Sequence, residues 1–152
     1  MTTTVNGIDE IKALAGTDLG ASDWKSVDQA RIQTFADATD DHQWIHVDVD
    51  AAKDGPFGGP IAHGYLTLAL VIPLWTELLV IEGIGMALNY GLNKVRFPAP
   101  VPAGSKIRLA ATVAEVNEVG GGGVEVVADF TVECDATDKP ACVAQAVYRY
   151  YP

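Results

Sequence analysis

In the second half of the chain, hydrophobic positions recur with a period of two. Ile107, Leu109, Ala111 and Val113 are interleaved with Lys106, Arg108, Ala110 and Thr112. Val124, Val126, Ala128, Phe130, Val132 and Cys134 are interleaved with Glu125, Val127, Asp129, Thr131 and Glu133. Side chains on a strand point alternately to its two faces, so each run predicts a strand with one packed face. Residues 141–151 and 85–97 read as two more such strands. Turns are expected at Gly120-Gly-Gly-Gly123 and at Asp135-Ala-Thr-Asp-Lys-Pro140, the tracts between the strand patterns.

The first half has helical spacing instead. Ile8, Ile11 and Leu14 predict one or two amphipathic turns over residues 8–15, and residues 22–27 a first strand. Asp28 reads as the N-cap of a helix that carries Ile32, Phe35 and Ala36 on one face. Residues 50–53 add a short helical turn before the breaker run Gly55-Pro-Phe-Gly-Gly-Pro60. After His63 the run Tyr65-Leu-Thr-Leu-Ala-Leu-Val-Ile-Pro-Leu-Trp-Thr-Glu-Leu-Leu-Val80 is apolar on nearly every side. Such a helix has to be enclosed by protein, and Pro73 should kink it or end its first part. An enclosed helix followed by an antiparallel meander predicts one α+β domain over residues 1–152, its antiparallel sheet wrapped around a long central apolar helix.

Composition narrows the function classes. The 152 residues are 49% hydrophobic and 20% charged, which excludes an intrinsically disordered chain. Ten basic against twenty acidic residues give a formal charge of −10. That sign argues against a nucleic-acid surface, although a local basic pocket for a phosphorylated ligand is compatible with it. The N-terminus lacks a signal-peptide pattern, and the apolar run is broken by Thr67, Pro73, Thr76 and Glu77. A buried helix in a cytoplasmic protein is therefore expected rather than a membrane span. The two cysteines, Cys134 and Cys142, flank a turn. They read as small buried apolar side chains, with a cross-strand disulfide as the less favoured alternative.

All three histidines, His42, His46 and His63, lie within one short stretch beside Asp40, Asp41, Asp48 and Asp50. Residues five apart differ by about 140° around a helix, so Asp41 and His46 cannot share a helical face. They can converge if the helix ends near Asp41 and the chain turns through Gln43 and Trp44. A carboxylate and an imidazole so placed can activate a water and move a proton near neutral pH. Two other readings stay open: a solvated helix end with Asp48 or Asp50 as a cap, and a metal site. Neither a His-x-x-x-His pair on one helix nor a cysteine pair supports the metal, since the chain is expected to turn between His42 and His46. The glycine turn ending in His63-Gly64 leaves free N–H groups at a helix start, where a ligand carbonyl could approach Gly64. The plain alternative is that these glycines serve backbone geometry alone.

Three segments together resemble the MaoC-like, (R)-specific enoyl-coenzyme A hydratase family of hot-dog folds. They are Asp40-Asp41-His42-Gln43-Trp44-Ile45-His46, Gly59-Pro60-Ile61-Ala62-His63-Gly64-Tyr65-Leu66, and the stretch from Asn89 to Val101 with its Arg96-Phe97-Pro98-Ala99-Pro100-Val101 ending. The likeness runs from about residue 27 to the C-terminus. Gln43-Trp44 departs from the Asn-Pro usual there, and Asp40 stands where Gly is frequent.

The resemblance implies that Asp41 and His46 are the catalytic pair and that the Gly64 N–H is an oxyanion donor. It implies a trans-2-enoyl-coenzyme A substrate, no cofactor and no metal. Water held by the pair would add its oxygen to C3 and a proton to C2, giving the (R)-3-hydroxyacyl thioester. A homodimer paired through the sheets is implied as well. Lys94 and Arg96, among four basic residues of the strand region, are candidate contacts to the coenzyme A phosphates; a salt-laced sheet face is the equal alternative. A charge of −10 also favours coenzyme A over an acidic carrier protein. Two rival functions share the fold: an acyl-coenzyme A thioesterase, and a non-catalytic acyl-binding partner subunit of a dehydratase.

Overall fold

A computed structural model describes the whole chain, Met1–Pro152. The period-two segments form the predicted strands: β5 (Met86–Arg96), β6 (Ser105–Val119), β7 (Gly123–Cys134) and β8 (Cys142–Tyr151). With β2 (Asp18–Ala21) they make an antiparallel sheet in the order β2-β6-β7-β8-β5, and β3 (Lys25–Val27) also pairs with β6. Ile107, Leu109, Ala111 and Val113 are buried, as are Val124, Val126, Ala128, Phe130 and Val132, so the predicted inner face is the packed one.

The apolar run after His63 forms the helical layer against this face, as two consecutive segments rather than one rod. They are α5 (Gly64–Ala69) and α6 (Val71–Leu78). The break falls at Leu70, three residues before Pro73. Proline has no N–H to donate to the carbonyl four residues back, which here belongs to Ala69, and its ring crowds that oxygen. Pro73 itself sits in the first turn of α6, where no N–H is needed. Leu74 and Leu78 are fully enclosed, and the Trp75 ring lies 5.3 Å from Phe130 and 5.5 Å from Tyr148, centroid to centroid. Trp75 Nε1–H donates to Tyr150 Oη at 3.2 Å, which satisfies the indole inside the core.

The helix predicted after Asp28 is α2 (Gln29–Thr39). Asp28 caps it, its Oδ1 accepting from Arg31 N–H at 2.8 Å, and Ile32 and Ala36 are buried. Three short helices complete this half: α1 (Gly7–Lys12), α3 (Trp44–Val47) and α4 (Val49–Lys53), the last capped by Asp48. Three strands are additional to the expectation. β1 (Thr3–Asn6) pairs in parallel with β4 (Leu79–Glu82), which continues directly from α6. The third is β2; of the expected first strand over residues 22–27, only 25–27 is a strand, as β3. Cys134 lies opposite Ile107 and Cys142 opposite Val132. The thiols are free and buried, and burial pushes Cys142 up to about 11. No helix is long and apolar enough to cross a membrane.

Candidate active site

α2 ends at Thr39 because Asp40 adopts a left-handed conformation (φ 59°), the one non-glycine residue with positive φ. Aspartate tolerates that region better than most residues, and a helix commonly stops on such a residue. The chain then turns through Gln43 and re-enters helix as α3, which carries His46 on its buried side. Trp44 lies against Gly55, where a Cβ would fall 2.9 Å from Trp44 Cζ3. Only glycine fits beneath the indole, so this contact fixes the loop in which Gln43-Trp44 occupies the usual Asn-Pro position.

The result is the convergence that a continuous helix forbids. A carboxylate oxygen of Asp41 and a ring nitrogen of each of His46 and His63 lie within 4.8 Å of one another. His46 is 6% exposed, and its Nδ1 lies 2.7 Å from the carbonyl oxygen of Ile61. A carbonyl only accepts, so Nδ1 carries the proton and the Nε2 lone pair is left for chemistry. Gln29 Nε2 donates to the His46 carbonyl at 2.7 Å, and Ile61 N–H donates to Ile45 O at 3.0 Å. α3 is thus held from both sides. Burial pushes His46 below the ordinary histidine range, and the nearby His63 adds to this. The Ile61 hydrogen bond and the Asp41 charge pull in the opposite direction. A carboxylate oxygen and a ring nitrogen no more than 4.8 Å apart are close enough for one water to hydrogen-bond to both Asp41 and His46.

A cavity of about 460 Å³ opens beside His46, which lines it together with Gly64, Thr67, Phe57 and Phe97 among others; Asp41 is not part of its lining. Gly64 begins α5, so its N–H has no acceptor within the helix. A Cβ at Gly64 would lie 3.1 Å from Phe97 Cε2. The glycine therefore leaves room for both the ring and an approaching carbonyl.

The remaining candidates divide. His63 belongs to the site: it is 2% exposed and its ring stacks on His46, centroids 3.9 Å apart and planes 24° apart. His42 does not, since its Nε2 pairs at 2.9 Å with the exposed Asp37. Lys94 and Arg96 lie opposite Gln145 and Val143, on the face of β5 away from the helices, and do not line the cavity. Arg108, expected among the cations of this region, pairs with Glu133 across β6 and β7. Thr67 is a site residue that spacing alone did not assign; its signal was a threonine hydroxyl about one helical turn after Gly64. A metal fits poorly among Asp41, His46 and His63. Imidazole lone pairs lie in the ring planes, and two stacked rings direct theirs side by side rather than towards one ion.

Comparison with known proteins bears on the family and the fold. The family model described as MaoC like domain matches residues 10–134. The 3-hydroxyacyl-thioester dehydratase Z of Mycobacterium tuberculosis is 48% identical over 147 residues, 97% of each chain. Among solved structures, a monoamine oxidase regulatory protein from Archaeoglobus fulgidus superposes with a TM-score of 0.81 at 25% identity, covering 100% of this chain and 99% of the other. The (R)-hydratase PhaJ1 of Pseudomonas aeruginosa gives 0.67 at 24% identity over 88% of this chain and 79% of its own, a likeness of fold.

Proposed function

The chain belongs to the MaoC-like dehydratase family, and on that premise we propose that it hydrates trans-2-enoyl-coenzyme A to (R)-3-hydroxyacyl-coenzyme A and catalyses the reverse dehydration. The observation that carries this reading is the Asp41 carboxylate within 4.8 Å of the His46 ring, with His46 Nε2 unprotonated. A water between them loses a proton to His46 Nε2 as its oxygen bonds to C3 of the substrate. The electron pair of the double bond moves towards the thioester oxygen, which the Gly64 N–H receives as it becomes enolate-like. Return of one proton from the pair to C2, on the face the water attacked, completes a syn addition. One water is consumed, and no other reactant is required.

The named activity of the mycobacterial relative supports a 3-hydroxyacyl thioester as one side of the reaction. Coenzyme A as carrier rests on the charge of −10, which disfavours an acidic carrier protein. A coenzyme A tail leaving over Phe97 would have to pass the end of β5 to reach Arg96 and Lys94 on its outer face. Arg96→Glu then raises KM at unchanged kcat; an unaltered KM removes that contact.

The protein acts as a homodimer in this reading. β5 ends the sheet, and its open edge presents Met86, Leu88, Tyr90 and Leu92, between 41% and 58% exposed. A long apolar edge strand invites pairing, and a second copy in two-fold symmetry closes it.

The test is incubation with crotonyl-coenzyme A, following the enoyl-thioester absorbance, the free thiol and the configuration of the product. Loss of absorbance with an (R) product and no thiol supports hydration. Thiol release instead identifies a thioesterase, and no reaction identifies a non-catalytic subunit.

A further inference from the structure

His63 is a buried polar group to which the reaction above gives no chemical step. Its ring is enclosed between Phe35 and His46, with centroid separations of 4.9 and 3.9 Å. Its Nε2 lies 3.0 Å from the main-chain oxygen of Asp41, and its Nδ1 is buried with no hydrogen-bond partner. Since a carbonyl oxygen only accepts, the Nε2 of His63 carries the proton and Nδ1 a lone pair. One side chain from the start of α5 therefore touches both members of the pair: the backbone of Asp41 and the ring of His46.

Asp41 needs such a hold. It follows Asp40, whose left-handed φ of 59° ends α2, so Asp41 lies beyond the helix. Its own residue is exposed, and its carboxylate has only a long contact from Gln43 N–H at 3.5 Å. We propose that His63 is a positioning residue of the active site, fixing the separation of carboxylate and imidazole through its bond to Asp41 O and its stack on His46. The proposal rests on the hydratase reading for its kinetic consequences but not for its structural ones. The titratable groups that face His46 are Asp41 from the α2–α3 turn and His63 from the N-cap of α5; Gln29 and Ile61, which bond to the same residue, are neutral. Replacing His63 changes the ring against which His46 is packed, so the His46 titration should move from its wild-type position.

Two variants separate the contacts. His63→Gln retains an amide donor and loses the stack, whereas His63→Phe retains a stacking ring and loses the donor. With crotonyl-coenzyme A each is expected to lower kcat about 10- to 100-fold, as small misplacements of reacting groups do. KM should stay within about twofold, because the cavity wall is left in place. The acid limb of the pH–rate profile and the His46 resonance in a nuclear magnetic resonance titration should both be displaced from their wild-type positions. A folded variant with wild-type kcat and an unmoved His46 titration overturns the proposal, as does a rise in KM alone.

The wild-type protein supplies a check that needs no variant to fold. The ring nitrogen spectrum should place the His63 proton on Nε2, and a proton on Nδ1 overturns the assignment. A wild-type enzyme that fails to hydrate, while the His46 titration still moves in the variants, contradicts the reaction and leaves the positioning contact standing. A wild type that hydrates, with variants that match it, contradicts the contact alone.

Discussion

Gly64 and Phe97 stand so close that a methyl group on the glycine would lie 3.1 Å from the ring. Phe97 follows directly on β5 and lines the same cavity as His46, so the helix start and the strand end together shape the substrate wall. Gly64→Ala should push the ring towards the space proposed for the thioester and lower kcat/KM by about tenfold or more, in line with loss of an oxyanion donor's geometry. Phe97→Leu in the same chain should recover part of that loss. Steady-state kinetics of the single and double variants check the coupling.

The depressed proton affinity of His46 fixes the direction of the pH dependence. The ring must be unprotonated to take a proton, so kcat/KM should fall on the acid side with an inflection below the ordinary histidine value of 6.5. Stability follows the same group. Between the lowered folded value and the ordinary unfolded value, the unfolded chain holds the proton and the folded chain does not. The contribution is full above the unfolded value and is lost as pH falls through this window. His42, raised by Asp37, works in the opposite sense but on an exposed pair. Melting temperatures between about pH 7.5 and 5 should therefore drop less in His46→Gln than in the wild type.

Legibility in the sequence followed local repetition. The strands β5 to β8 were visible because a period of two runs through each, and α2 because Asp28 and the spacing of Ile32 and Ala36 mark its start and its face. β1 and β4 were not, because Thr3–Asn6 has no period and Leu79–Glu82 continues an apolar run that suits helix or strand equally. What decides β4 is its parallel pairing with the N-terminus, a contact between distant residues. The turn that brings Asp41 to His46 was legible only as the condition for their convergence, with a solvated helix end as the open alternative. The stack of His63 on His46 depends on how α5 meets α3, and no spacing along the chain contains it.

The edge strand carries a prediction about assembly. Leu88→Lys together with Leu92→Glu places charge on the open edge of β5, where each leucine is more than 40% exposed. Sedimentation should give a wild-type mass of twice the 16.1 kDa chain and a variant mass of one chain. A wild type that sediments as a monomer contradicts the homodimer.

Core truncation tests the packing of the helical layer. Leu74 is fully buried on α6, and Leu74→Ala should cost about 2–5 kcal/mol. Urea denaturation should show this as a lower midpoint with an unchanged slope.

The central claim is that Asp41 and His46 activate water for addition to an enoyl thioester. The direct measurement is the initial rate of absorbance loss with crotonyl-coenzyme A for the wild type, Asp41→Asn and His46→Gln, each checked for an unchanged fold. The pair predicts rapid loss in the wild type and a fall of about 10²-fold or more in both variants. A wild type that leaves the absorbance unchanged, or a folded His46→Gln that keeps pace with it, would contradict the account.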